Sequence, residues 1–193
     1  MVTTDSDHSR PVYPNLAAQL ELSGINQLWV ADITYIRLET EFIYLAVVID
    51  AFSRRVIGWA LDRTIEDDLA RAALRVALEQ RGTPAGLVHH SDRGSQYAST
   101  DYTSLLKASA IAISMSQKAS PWENAACESW MKTLKSEEVY RQEYRDLPEA
   151  RSCLAQFIDK VYNQKRLHSA LGYRPPVEFE QSLSMAPGVG AHA

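Results

Sequence analysis

Apolar residues run almost unbroken from Phe42 to Ile49, and a run of that length between polar turns reads as a strand covered on both faces. A strand is predicted on each side of it. One spans 27–36 and carries Trp29, Val30, Ile33, Tyr35 and Ile36; the other spans 56–61, Val56-Ile57-Gly58-Trp59-Ala60-Leu61. Polar turns at 37–41 and 51–55 make the three an antiparallel meander. The period then changes. Leu69, Ala72, Ala73, Val76 and Ala77 recur at helical spacing, predicting a helix over 64–80. Thr64 is its expected cap, Glu66, Asp67 and Asp68 fill its first turn, and Gly82-Thr83-Pro84 stops it. Further along, the pattern predicts strands at 87–91 and 111–115. It predicts helices at 100–109, at 124–141 and from Pro148 to 163.

Three antiparallel strands followed by helix, strand, helix, strand, helix make a mixed sheet, because a strand that returns through a helical crossover comes back parallel. The expected class is α/β, with a five-stranded sheet in spatial order 3-2-1-4-5 and helices on both faces. That is a ribonuclease H-like arrangement. Residues 1–24 read as a leader, 25–163 as the core, and 164–193 as a basic segment followed by a tail of small residues from Met185, expected to be disordered.

Composition narrows the function classes. With 46% hydrophobic residues the 193-residue chain can bury one sizeable core. A formal charge of −4 argues against a general nucleic-acid binder, so any DNA contact must come from a local basic face. The two cysteines, Cys127 and Cys153, have no metal-binding spacing, and five scattered histidines add no zinc signature. The polar start is no signal peptide and no apolar run spans a bilayer, so the expected location is the cytoplasm.

The chemistry lies in acids. Asp32 sits among apolar strand residues, where a charge is costly unless it is paired or binds a metal. Asp92 ends the fourth predicted strand, at the edge where open α/β sheets bind ligands, and Gly94 beside it allows close backbone approach to a phosphate. Glu128 follows Asp92 after 35 intervening residues. On the helix from 124, Cys127, Trp130, Met131 and Leu134 form the apolar side, while Asn124, Glu128 and Lys135 form a separate stripe. Three converging carboxylates repel one another and suit a hard divalent cation. One of them is expected to hold its proton to unusually high pH when no metal is bound. Asp50 competes with Asp32, but pairing 36 with 42 sets 32 opposite 46 and leaves Asp50 roughly 13 Å farther along. It reads as the cap of the following turn. Of His89 and His90, one is expected to face the core and one outward, with a structural or orienting role.

Several stretches carry a resemblance. They are Trp29–Ile36, Val48–Trp59, His90–Tyr97, Asn124–Lys135 and Asn163–Pro176. Together they resemble the catalytic half of bacterial insertion-sequence transposases made from two overlapping reading frames, relatives of retroviral integrase. Pro121-Trp122-Glu123-Asn124 departs from the family's usual Pro-Tyr-Asp-Asn. The resemblance implies a DDE transposase domain that cleaves DNA strands and transfers them, with Asp32, Asp92 and Glu128 as catalytic residues and ligands of two Mg2+ or Mn2+ ions. It implies terminal DNA held by Lys135, with Asn124 and Lys132 beside it. It also implies a homo-oligomer on DNA, association with the bacterial nucleoid, and a helix-turn-helix region preceding the segment seen here. Lys165, Arg166, His168 and Arg174 surround Tyr173, and this segment reads equally as a DNA contact and as a folded turn packed on the last helix. Two rivals stay open: a nuclease of the same fold that only hydrolyses, and a catalytically silent DNA-binding or assembly module.

Overall fold

A computed structural model describes residues 10–116 and 125–185. The strands are β1 (Leu28–Arg37), β2 (Phe42–Asp50), β3 (Val56–Asp62), β4 (Val88–Ser91) and β5 (Ala112–Met115). They form one sheet in the order β3-β2-β1-β4-β5, with β1–β2–β3 antiparallel and β4 and β5 parallel to β1. This is the expected topology.

Alternation along β1 divides the core in two. Leu28, Val30 and Ile36 face a layer made by α3 (Ala125–Glu137), α4 (Leu147–Ala155) and the π-helical turn Gln156–Tyr162. Trp29, Ala31 and Ile33 face α1 (Asp67–Arg81) and α2 (Thr100–Ala108). Both layers are built mainly of apolar side chains, with Trp29 and Trp130 almost wholly buried on opposite sides. Helix α1 ends where expected, at Gly82, whose positive φ of 68° suits a residue without Cβ.

The structure corrects several expectations. The β1–β2 register is shifted by one: Ile36 pairs with Ile43 and Asp32 with Val47. The cause is a loop that closes on Leu38, whose N–H donates to the Glu41 carbonyl at 2.8 Å while its side chain enters the core. Thr64 is not the cap of α1. Glu66 holds that position, and the Asp62 carboxylate takes the Arg63 and Thr64 N–H groups instead. The helix expected to reach 141 ends at Glu137 and is followed by a 3-10 turn, Val139–Arg141. The helix from Pro148 changes to π geometry at Gln156.

One helix was not foreseen, α5 (Pro176–Met185). It carries no apolar stripe; its anchor is a buried carboxylate. Glu180 accepts a hydrogen bond from Ser53 Oγ at 2.6 Å and pairs with Arg55 and Arg81. Just upstream, Asn163 hydrogen-bonds both backbone groups of Val56, at 3.0 and 2.9 Å. The C-terminal segment is thereby tied to the β2–β3 connection. The tail from 186 lies outside the described residues.

Helix α1 lies on β3 through Gly58. A Cβ there would come within 2.3 Å of the Ala73 carbonyl oxygen and 2.7 Å of the Ala77 nitrogen, both backbone atoms. Gly58→Ala should therefore force α1 off the sheet and destabilise the fold by about 1–3 kcal/mol. Urea denaturation of the two proteins measures it; equal midpoints would show that the contact is not this tight.

Candidate active site

Asp32 lies within β1, on the side of the sheet that faces α3, and is partly buried. Its Oδ1 accepts the Ile33 N–H at 2.8 Å. The parallel register of β1 with β4 pairs Leu28 with Val88, Trp29 with His89 and Val30 with His90. Continued by two residues, it sets Asp92 beside Asp32, one residue past the carboxyl end of β4. There the chain turns sharply, and Asp92 Oδ1 takes the Gly94 N–H at 2.8 Å. A Cβ on Gly94 would lie 2.9 Å from that same oxygen and 3.1 Å from Gln96 Oε1. The glycine thus makes room for the Asp92 carboxylate itself.

Glu128 stands on α3 as the helical arithmetic predicts. Cys127, Trp130, Met131 and Leu134 are buried, and Glu128 is exposed on another face. The three acids act on one another. Burial first, and Asp92 second, push the Asp32 carboxyl up to about 7 from an ordinary 3.8; Glu128 adds to the rise, while the Ile33 N–H and Lys135 oppose it. One carboxyl thus feels Asp92, Glu128 and Lys135 together. Among the described residues, no three His, Cys, Asp or Glu side chains are already drawn into a metal-binding cluster. The donor set nonetheless suits a hard cation. All three groups are carboxylates, and a divalent ion in place of the proton would offset both the burial and the repulsion that raise the Asp32 carboxyl.

Lys135 holds its Nζ 5.5 Å from the centre of the Tyr35 ring, at the cation–π range. Lys132 is exposed on the same helix, and Asn124 lies outside the described residues. Asp50 does not join the site. It pairs with Trp29, and its carboxylate caps the turn as expected, accepting from Phe52 N–H, Ser53 N–H and Asn26 N–H. The expectation that one histidine faces outward is corrected, since both are buried. His89 Nε2 meets the Tyr102 hydroxyl at 2.9 Å, and burial pushes its pKa down to about 3. His90 Nδ1 meets Ser114 Oγ at 2.8 Å, where Leu16 and Ala17 of the preceding segment cover the sheet.

The segment 163–176 is folded against the core. Arg166 makes a double contact with Glu137 of α3, His168 packs edge-on against Tyr162, and Arg174 bonds the Leu171 carbonyl and Ser182 while lying over Phe179. Lys165 is exposed, and so is Tyr173, at 70%. Tyr97 is a further residue beside the acids, one that periodicity alone does not single out. Its hydroxyl is buried with no hydrogen-bond partner among the described residues, and Asp32 and Asp92 are among the neighbours that, after burial and Tyr102, hold its proton on. The signal available was its place in the His90–Tyr97 stretch.

Comparisons with known proteins bear on the family and the fold. An integrase core domain model matches residues 23–121, and a second one matches 109–176. The chain is 38% identical over 180 residues to the insertion element IS600 uncharacterized 31 kDa protein of Shigella sonnei, covering 93% of this chain and 66% of that protein. It is 38% identical to the transposase for insertion sequence element IS904 of Lactococcus lactis, covering 87% and 67%. To the transposase InsF for insertion sequence IS3A of Escherichia coli it is 40% identical, covering 90% and 60%. It therefore spans about two thirds of the length of these relatives. Among solved structures, a simian T-cell lymphotropic virus intasome, determined with a PP2A regulatory subunit, contains a chain that superposes with a TM-score of 0.67 at 18% identity, covering 99% of this chain and 64% of that one. The HTLV-2 integrase catalytic core in complex with magnesium superposes at 0.58 and 18% identity, covering 81% and 97%. At that identity they establish the ribonuclease H-like fold.

The raised Asp32 carboxyl has a consequence for stability. The folded chain holds this proton up to about pH 7, whereas the unfolded chain releases it near 3.8. The group's stabilising contribution is therefore complete below pH 3.8 and is lost as pH rises through 7. In metal-free buffer, the stability of the parent relative to Asp32→Asn should decline across that window, by at most about 1.4 kcal/mol per pH unit, and then level off. Denaturant titrations at a series of pH values test this; parallel profiles would remove the raised pKa.

Proposed function

Because the chain belongs to the integrase core domain family shared with insertion-sequence transposases, we propose that it is a DDE transposase catalytic domain, cleaving DNA at element ends and joining them to target DNA. The observation that carries the reading is the electrostatic convergence of Asp92 and Glu128 on Asp32, at the carboxyl end of the β1–β4 pair. Asp32, Asp92 and Glu128 would hold two divalent cations, Mg2+ or Mn2+, which when bound activate the attacking oxygen and stabilise the departing one at a scissile phosphate. The protein's own part is positional. Strand β1 fixes Asp32, the Gly94 N–H orients Asp92, and the apolar side of α3 aims Glu128 away from the core. Lys135 supplies positive charge beside them for a phosphate backbone.

With water as nucleophile, the phosphodiester opens to a 3′-hydroxyl and a 5′-phosphate. With that 3′-hydroxyl as nucleophile, a target phosphate exchanges one ester oxygen for another, and the displaced oxygen takes up a proton. Neither reaction needs a covalent protein–DNA link, so no nucleophilic side chain is assigned. Exposed Lys132 and Lys165 are the DNA contacts best supported; Arg166, His168 and Arg174 already serve the folded turn. As with the intasome and the dimeric integrase core, the active form is proposed to be an oligomer on DNA. The rest of such a protein, including a helix-turn-helix region, would supply recognition of element ends. No helix among the described residues is long and apolar enough to cross a membrane, and we place the domain in the bacterial cytoplasm.

The test uses a labelled element end with Mn2+ or Mg2+. Cut and joined products are expected from the parent, and neither from Asp92→Asn or Glu128→Gln, each with its fold intact by circular dichroism. Cut products without joining would assign the domain to hydrolysis alone. At a metal concentration about a hundred times the dissociation constant, binding adds about 2.7 kcal/mol, or about 5–10 °C in melting temperature. Asp92→Asn should lose most of that rise and Asp50→Asn should keep it. A parent whose melting ignores both metals would sink the assignment.

A further inference from the structure

Next to Lys135, the site opens into a groove of about 940 Å3 between the β1–β2 turn and the segment that follows α3. Its walls are tied together. The Glu39 N–H donates to the Tyr144 carbonyl at 3.0 Å, and the Tyr144 hydroxyl donates to Glu138 at 3.0 Å. Tyr140 offers an aromatic face and is 76% exposed, whereas the Tyr35 ring is half-buried beneath Lys135. Arg37, Lys135 and Arg145 bring positive charge, against Glu39 and Glu143 on the same lining. Arg145 is engaged twice by Glu149, at 3.0 and 3.1 Å, which leaves Arg37 and Lys135 as the cations that face an incoming ligand.

Such a lining has a chemical preference. Two cations spaced along a trough beside one exposed tyrosine ring suit a sugar–phosphate backbone whose bases are free to stack. A base inside a duplex is already stacked and presents no face to Tyr140. Contacts to phosphates and to the face of a base carry no base-edge information, so recognition through them should tolerate any sequence. The groove also continues the catalytic centre, because Lys135 lines it while acting on Asp32.

We propose that this groove holds an unpaired stretch of DNA strand leaving the reaction centre, with Arg37 and Lys135 on its phosphates and a base stacked on Tyr140. The inference rests on the transposase reading for the origin of that strand. The groove's affinity for single-stranded DNA is separately measurable.

The probe is a short fluorescent oligothymidine strand, compared by anisotropy with a duplex of equal length, in low salt with chelator so that no cutting occurs. The parent should bind the single strand. Tyr140→Ala should weaken that binding about tenfold, as loss of one stacked base would. Arg37→Ala should also weaken it and make the log–log salt dependence shallower by about 0.7. Leu183→Ala, at an exposed residue outside the groove, should bind like the parent. If Tyr140→Ala and Arg37→Ala both bind the strand as the parent does, or if the parent binds no single strand, the groove is not a strand site. Metal-dependent cutting and joining by the parent then still supports the transposase reading. If strand binding is lost in these variants while cutting and joining are absent, the catalytic reading fails and the groove stands. Element ends extended by a single strand at the 3′ or the 5′ side would show which flank enters it, by which extension tightens binding in a Tyr140-dependent way.

Discussion

The parallel pairing of β1 with β4 forces two carboxylates side by side, and much of the molecule follows from accommodating them. In water, Asp32 and Asp92 would separate. Here one is fixed within a strand and the other is held by the turn that ends its neighbour, so they cannot. The repulsion is met partly by a retained proton on Asp32 and partly by Lys135. Helix α3 delivers Glu128 to the same neighbourhood only because its other side, through Trp130 and Leu134, is locked into the core. The site is therefore as rigid as the two apolar layers that enclose the sheet.

A second polar arrangement holds the far part of the chain. Asn163 and Glu180 both reach the β2–β3 connection, one to the backbone of Val56 and the other to Ser53, Arg55 and Arg81. Glu180 keeps its charge in this setting. Burial raises its pKa, but the hydrogen bonds from Ser53, Arg81 and Arg55 outweigh burial and leave the carboxyl below its ordinary value. Asp32 and Glu180 show the same group in opposite circumstances, one crowded by anions and the other clasped by cations.

Much of this was legible in the sequence where apolar periodicity carries the structure. The five strands, their order and the buried side of α3 follow from which residues must leave water. So does the adjacency of Asp32 and Asp92, once parallel crossovers are required. The register of β1 on β2 was not legible, because it depends on whether Leu38 ends a strand or begins a loop, and a buried leucine fits both. Helix α5 escaped because it docks through Glu180, a residue that periodicity counts as surface. The expectation that one of His89 and His90 faces outward failed for a related reason: His90 lies where the segment around Leu16 covers the sheet, and that segment's sequence has no period to announce that it packs. Local patterns report on the chain's own water exposure and not on cover supplied by distant segments.

The π-helical turn Gln156–Tyr162 adds a constraint of another kind. An α-helix advances about 100° per residue, and a wide turn absorbs a residue without advancing the face that follows. Phe157, Ile158 and Tyr162 are all buried across this turn, and Asn163 leaves it aimed at Val56. Side chains here can be exchanged for others of similar volume. The number of residues cannot change by one, because a deletion would restore α geometry and swing Tyr162 and Asn163 around the helix, away from Trp130 and β3. Over evolutionary time this stretch should drift in composition while remaining fixed in length.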